Sequence, residues 1–374
     1  MFFRFARIRT FLGEIPEPDL TYNVVGICNE VAVCIGETTW AGTKLLSSVP
    51  QKGAIIDYGS LIFITLQRSK SAKEAIDTMA SLLDSYGYYS TGETFSIVDE
   101  KEAWVMDVIG RGPEQVGAVW VARRIPDGYI LVHANHAKIT TFPLNDPDNC
   151  VYSKDVITLA RSLGLYHGKD EDFNFQAAYD GEKKPEDMRY DEARVFDVYS
   201  RLSSDSNAFY QKYIDYAMGY NLDNVMPIWI KPKNKVSLKV VIERMASHYE
   251  GSILEYGFDV GGGLYSAPYR PKPNSWTYHG HTYVNERSIA VEKTAICYLS
   301  VIRSWMPPPL KTILWFGVDD SSTSPRYPVY ACSTAASSNY FGRGPQDGET
   351  SPILKFDWNQ AFWIQNLVSD ETQF

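Results

Sequence analysis

No stretch of this 374-residue sequence approaches the roughly 18 consecutive uncharged apolar residues that a membrane-spanning helix needs. The longest apolar runs, such as TILWFGV, have strand length. A basic excess is also missing. The formal charge is −9, which argues against a nucleic-acid partner, because binding to a phosphate backbone is driven by clustered Lys and Arg. One local exception, KPKNKVSLK at 231–239, reads as a solvated loop feeding a regular element.

Cysteine is sparse. The five (Cys28, Cys34, Cys150, Cys297 and Cys332) include no C-x-x-C pair, which excludes a zinc knuckle and a dense disulfide framework. Each is expected to be a small packing residue, and an odd count leaves at least one thiol free. There is no N-x-S/T sequon and no H-E-x-x-H. The glycine cluster DVGGGLYSAPYR at 259–270 lacks the Lys-Ser/Thr of a phosphate-binding loop and reads as a sharp turn. GETTWAG fails the G-x-S-x-G pattern of a nucleophile elbow. No cofactor and no metal are expected.

What is present is a core: 44% of residues are apolar and 14% aromatic, enough to bury one large core or two ordinary ones. Residues 21–66 alternate apolar with small or polar residues in TYNVVGICNE, VAVCIGETTW and SLIFITLQRS, which predicts paired antiparallel strands. Ser71 with Glu74 makes a capping box ahead of apolar residues at 75, 76, 79, 82 and 83, predicting a helix that stops near Gly87. Hairpins are predicted to turn at residues 99–102 and at Pro126-Asp127-Gly128. Residues 186–221 read as helical with a break around Ser203–Ser206, and SLKVVIERMASHYEG as a helix ended by Gly251. Strands and turns follow through YSAPYR, AICYLSVIRSW, TILWFGVDD and PVYACST, and DWNQAFWIQNLVSD reads as a closing helix. Hairpin strands interrupted by helix pairs predict an α+β fold with antiparallel sheets. No internal repeat or low-complexity linker divides the chain, so a single domain over 11–368 is expected.

The run VARRIPDGYILVHANHAKITTF at 121–142 sets His133 and His136 around Asn135. On a strand, positions i and i+3 face opposite ways, and no acidic or cysteine ligand lies nearby. The histidines are therefore read as packing or supporting residues rather than a metal clip, and Asn135 as the residue of interest.

From YNVVGICNEVAVCIGETTWAG onward the sequence resembles the PepD-type cysteine dipeptidases of the N-terminal-nucleophile (Ntn) hydrolases. Penicillin V acylase, the bile-salt hydrolases and the secernins are wider relatives. The likeness continues through DYGSLIFITLQRSKSAKEAID, GYYSTGETFSIVDEKEAWVMDVIGRGP and RSWMPPPLKTILWFGVDD. VWVARRIPDGY-x3-HAN and ILWFGVDD are the most specific motifs. The resemblance implies a four-layer αββα sandwich of two antiparallel sheets. It also implies a mechanism in which a cysteine at position one attacks a peptide carbonyl while its own α-amine acts as base.

The same resemblance makes Asn135 the donor to the oxyanion. It makes Arg194, in YDEARVFDVY, a support for the nucleophile's surroundings, and sets Thr38, in IGETT, on the oxyanion side, where Thr replaces the relatives' Asn. Asn29 and Glu30 match as strand-end structure. The substrate implied is a dipeptide or small peptide, with homo-oligomers compatible and the compartment open.

Family members carry the nucleophile several dozen residues before the segment matching FLGEIP, and none of the five cysteines here occupies that place. The arginine-rich residues 1–10, MFFRFARIRT, are accordingly expected to be a misassigned start on an N-terminally truncated chain. A catalytically silent, secernin-like binding protein is the alternative.

Overall fold

The computed structural model describes residues 13–47, 51–258, 260–269, 275–340 and 350–371; the arginine-rich stretch 1–10 lies outside them. The fold is α+β with antiparallel sheets. Two compact units are formed, the first from described residues within 1–184, 225–232 and 302–312, the second from those within 185–224, 233–301 and 313–374.

The first unit is built on a seven-stranded sheet whose strands neighbour one another in chain order. These are β1 (Val24–Val25), β2 (Cys28–Asn29), β3 (Cys34–Trp40), β4 (Gly92–Val98), β5 (Ala103–Gly110), β6 (Ala118–Arg124) and β7 (Cys150–Tyr152), each antiparallel to the next. A four-residue helical turn, α1 (Lys44–Ser47), follows β3, and then come α2 (Tyr58–Arg68) and α3 (Ala72–Tyr86). One face of the sheet (Ile35, Phe95, Ile97, Trp104, Met106, Val108 and Trp120) packs against Leu61, Leu66, Ile76, Met79 and Leu83 of these helices. The other face carries Val105, Ile109, Val119 and Val121. It is covered by Ile139, Phe142 and Phe173 together with α4 (Val156–Ser162) and α5 (Phe175–Tyr179). Because both faces are buried, β5 is nearly all apolar rather than alternating. At Gly92 the Trp40 indole lies where a Cβ would project, so only glycine fits.

The α3 helix forms as its sequence predicts. The Ser71 hydroxyl accepts from Glu74 N at 3.2 Å, Glu74 Oε2 accepts from Lys70 N at 2.9 Å, and Gly87 caps the other end.

The preceding segment overturns the expected strand: SLIFITLQ belongs to α2. Asp57 caps it by accepting from Ser60 N at 2.6 Å, and the buried Leu61, Ile62, Thr65 and Leu66 lie at helical spacing. Burial of that stripe outweighs the β-branched preference for strand.

The turn at Pro126-Asp127-Gly128 forms, with Tyr129 N donating to Pro126 O at 3.1 Å and Gly128 at φ +83°. Its expected return strand does not. The outer edge of β6 is taken by β7, through Val121↔Tyr152 and Arg123↔Cys150, and the returning chain makes only an isolated bridge, Ile130↔Ile230.

A second correction concerns the cysteines. Cys28 and Cys34 stand opposite each other in the β2–β3 ladder and form a disulfide, with Cα atoms 4.1 Å apart. They are not separate packing thiols.

The second unit begins with α6 (Pro185–Asp187) and a π-helical turn, Met188–Glu192, leading into α7 (Ala193–Leu202). A break at Ser203 separates α7 from α8 (Ser206–Ala217), and α9 (Leu238–Met245) ends well before Gly251. A two-stranded ribbon, β8 (Ser275–Tyr278) and β9 (His281–Val284), is followed by β10 (Ile296–Ile302). After α10 (Pro308–Lys311), a helical turn belonging to the first unit, come β11 (Thr312–Val318), β12 (Tyr327–Tyr330) and the closing helix α11 (Ala361–Glu371). Strands β10, β11 and β12 form one sheet in that order. The glycine cluster read as a sharp turn forms a 3-10 segment, Val260–Tyr265, in which Gly263 has φ +62°, followed by a turn at Ser266 and a bend at Pro268.

Candidate active site

Asn135 lies on an irregular segment, residues 131–139, that buried side chains hold in place. Asp107 is the lone acid in the apolar run of β5. It is fully buried and accepts from Thr94 Oγ1 (2.6 Å), Lys138 N (2.8 Å) and Ile139 N (2.6 Å). Burial pushes its carboxyl up to about 6, although those three hydrogen bonds and the Lys138 cation pull the other way. Asp180 accepts from Ala137 N at 2.8 Å, and Gln176 donates to Ala137 O at 2.5 Å. The α5 backbone closes the clasp through Phe175 N to Thr140 O and Gln176 N to Ile139 O.

Held in this way, Asn135 donates its side-chain amide to the main-chain carbonyl of Thr39 at 2.6 Å. That carbonyl lies on the outer edge of β3. Ile35 N, on the same edge, bonds Ile27 O, and Cys28↔Cys34 is the one residue pair between β2 and β3. Strand alternation directs the N–H and C=O of Glu37 to this edge as well. Beyond Ile35, no further strand pairs with it among the described residues.

Thr38 points to the opposite face from Glu37 and Thr39. Its hydroxyl lies 2.6 Å from His133 Nδ1, and the Ser96 hydroxyl lies 2.7 Å from His133 Nε2. Burial, aided by the nearby Lys138 cation, pushes the His133 imidazole down to about 4, so it is neutral at physiological pH. Nδ1 of His136 lies 3.1 Å from Asp180 Oδ2 and 3.1 Å from the Gln176 amide. Each histidine thus has its own partners, and no group of three His, Cys, Asp or Glu residues suited to a metal ion occurs among the described residues.

On the other face, Glu93 accepts from Thr39 Oγ1 at 2.5 Å. Glu93 is fully buried, and burial, reinforced by the Glu37 charge, pushes its carboxyl up to about 9 despite the Thr39 bond. Burial also raises Glu37. Tyr88 and Tyr58 flank the pair, their hydroxyls raised first by burial and then by the acids.

Arg194 lies in the second unit, at the start of α7. Its Nε donates to Tyr190 O at 2.7 Å and its Nη2 lies 3.1 Å from Asp191 Oδ1. Burial pushes Asp191 up to about 7, against the pull of Arg194. The two remaining matched residues are structural. Asn29 donates to Leu66 O and Ser69 O and accepts from Val33 N, tying β2 to the end of α2, and Glu30 accepts from Asn23 N. Arg123 stacks on Trp229 at 4.6 Å, and Arg124 pairs with Glu102 and Asp127, so both are occupied along the strand.

Sequence reasoning brought Thr38 and Asn135 to attention, and the structure sets them on adjoining parts of β3 and the segment beside it. It missed Asp107, Asp180 and the Glu37–Glu93 pair. Asp107 carried a readable signal, since a single acid inside WVMDVIG must either face water or be satisfied internally. The Glu37–Glu93 pair depends on strand register, which no local pattern encodes.

The sequence matches peptidase family C69 over residues 6–372. It is 23% identical over 311 residues to a probable dipeptidase of Latilactobacillus sakei, covering 83% of this chain and 58% of that protein. It is 26% identical over 269 residues to probable dipeptidase A of Streptococcus pyogenes serotype M3, covering 66% and 53%. Dipeptidase A of Lactobacillus helveticus is 22% identical over 309 residues, covering 82% and 55%. The chain thus spans a little over half the length of these curated relatives.

Proposed function

The chain belongs to peptidase family C69, and from that membership we propose that it acts as a dipeptidase, cleaving peptide bonds through an N-terminal cysteine nucleophile with Asn135 as oxyanion donor. The observation that carries this reading is the placement of Asn135. A primary amide, fixed by a clasp of buried acids and α5, is held against a strand edge that lacks a strand partner beyond Ile35 among the described residues. A preorganised donor of this kind needs no reorganisation as charge develops on a carbonyl oxygen.

In this reading Thr38 is the second oxyanion-side group, its hydroxyl oriented by neutral His133. Arg194, anchored by Tyr190 and Asp191, supports the nucleophile's surroundings. The architecture proposed is the four-layer αββα sandwich, with residues 11–368 serving one catalytic domain. Its support is an antiparallel sheet with a helix layer, α2 and α3, on one face; the other face is covered by α4 and α5. A dipeptide or small peptide is the substrate class.

None of the five cysteines suits the nucleophile's role. Cys28 and Cys34 are joined, burial pushes the Cys150 thiol up to about 11, and Cys297 is buried and raised as well. Cys332 is exposed, but its own amine is tied up in a peptide bond. The reading therefore takes its nucleophile from a longer form of the protein. The same observation favours a second reading, a catalytically silent homologue that binds a peptide or protein partner.

Two measurements on protein purified from its source separate the readings. Intact mass with amino-terminal sequencing and a chromatographic assay for amino acids released from dipeptides are expected to give a cysteine at position one and turnover. A folded protein beginning at Met1 that releases no amino acids overturns the hydrolase and leaves the binding protein.

A further inference from the structure

Resting on the dipeptidase reading, we propose that the Glu37–Glu93 carboxyl pair holds the free α-ammonium group of the dipeptide, making an unblocked amino terminus a requirement for binding. Glu93 has no exposed surface, and its Oε2 is buried without a hydrogen-bond donor. The group set against it is another carboxyl, Glu37. A buried carboxylate with no cation is costly, and proteins relieve that cost by protonation or by pairing. Burial, the Thr39 hydroxyl and each other are what act on the two acids, with no Lys, Arg or His among those causes, and Tyr58 and Tyr88 feel the charge of both.

Exposure rises across the group: Glu93 is fully buried, Glu37 and Thr39 are half-buried, and Tyr58 is 39% exposed. A primary ammonium is compact and offers three donors, which suits two facing carboxyl groups and the neighbouring tyrosine oxygens.

Thr39 joins this acid pair to the proposed oxyanion donor. Its hydroxyl donates to Glu93 Oε1, and its carbonyl accepts the Asn135 amide. In a dipeptide the α-amine lies two bonds from the carbonyl carbon under attack, so an amine site must adjoin the oxyanion site. A side-chain amine of a longer peptide has no such constraint, and the adjacency favours the α-ammonium. Before binding, the pair relieves its charge by holding a proton. The incoming ammonium replaces that proton and expels it.

Isothermal titration of the 374-residue chain with alanyl-alanine and with N-acetyl-alanyl-alanine tests the proposal. The free dipeptide is expected to bind at least about tenfold more tightly, with a heat that depends on the ionisation enthalpy of the buffer because a proton is released. In Glu37→Gln, a half-buried position where the shape is kept, the two affinities are expected to converge. Glu93→Gln is expected to do the same and gives a second reading of the pair.

Equal affinities in the unmodified chain, an undiminished preference in Glu37→Gln, or no binding of the free dipeptide at about 10 mM overturns the proposal. The hydrolase reading fails independently. In protein purified from its source, turnover of free and acetylated dipeptides at equal rates would sink the amine site and leave the hydrolase. Selective binding with no turnover by that protein would do the reverse.

Discussion

The side-chain amide of Asn135 donates to the main-chain carbonyl of Thr39 at 2.6 Å, across 96 positions of sequence. This bond ties an irregular segment to the outer edge of β3. The same edge residue, through its hydroxyl, reaches the buried Glu93 carboxyl on one face of the sheet. A donor proposed for catalysis and a buried acid pair are thus connected through one threonine.

Asn135→Ala removes the amide and is expected to lower kcat by roughly a hundredfold or more in the hydrolytically competent protein, since loss of such a donor costs about 3 kcal/mol of transition-state stabilisation. Stability should fall by only about 1 kcal/mol for the hydrogen bond lost. Steady-state kinetics beside a urea melt makes the comparison, and near-normal turnover removes Asn135 from the site.

Asp107 predicts a pH effect. Its carboxyl is raised to about 6 in the folded protein from about 4 in an unfolded chain, so the native state binds this proton more tightly. The stability it contributes is fully present below about pH 4 and is lost as pH rises through about 6. Asp107→Asn should impose a roughly constant cost of about 1–3 kcal/mol, because an amide NH2 replaces one acceptor. On that offset, the difference from wild type should slope only in this window. Urea unfolding from pH 4 to 8 measures it, and a flat difference curve contradicts the assignment.

The Cys28–Cys34 disulfide leaves Cys150, Cys297 and Cys332 as free thiols. Thiol titration of protein denatured without reductant should therefore find three, and five after reduction. Replacing both joined cysteines by alanine is expected to cost no more than about 2 kcal/mol, because a short loop restrains the unfolded chain only modestly. Five thiols before reduction would disprove the pairing.

Phe175 is fully buried against Trp40, at 6.4 Å between ring centroids, and Tyr179, at 4.9 Å, and its backbone N bonds Thr140 O. Phe175→Ala is expected to destabilise by about 3–5 kcal/mol and to loosen the segment bearing Asn135. Hydrogen exchange at Lys138 and Ile139 should quicken more than at Phe95 in β4. Equal acceleration at both would mean the clasp does not act locally.

What the sequence determined by itself was local or written in motifs. The α3 helix could be read because its cap, stripe and terminating glycine lie within 17 residues, Ser71 to Gly87. The β4–β5 hairpin could be read because its turn is contiguous, and the HAN motif pointed to Asn135 by family likeness. Tertiary structure decided the rest, for physical reasons visible at particular residues. SLIFITLQ became α2 because burial of Leu61, Ile62 and Leu66 outweighed β-branched preference. The strand expected after Gly128 was displaced because β7 already occupied the edge of β6. Cys28 met Cys34, and Glu37 met Glu93, only once strand register was set, since pairing across strands depends on neighbours that local sequence does not specify.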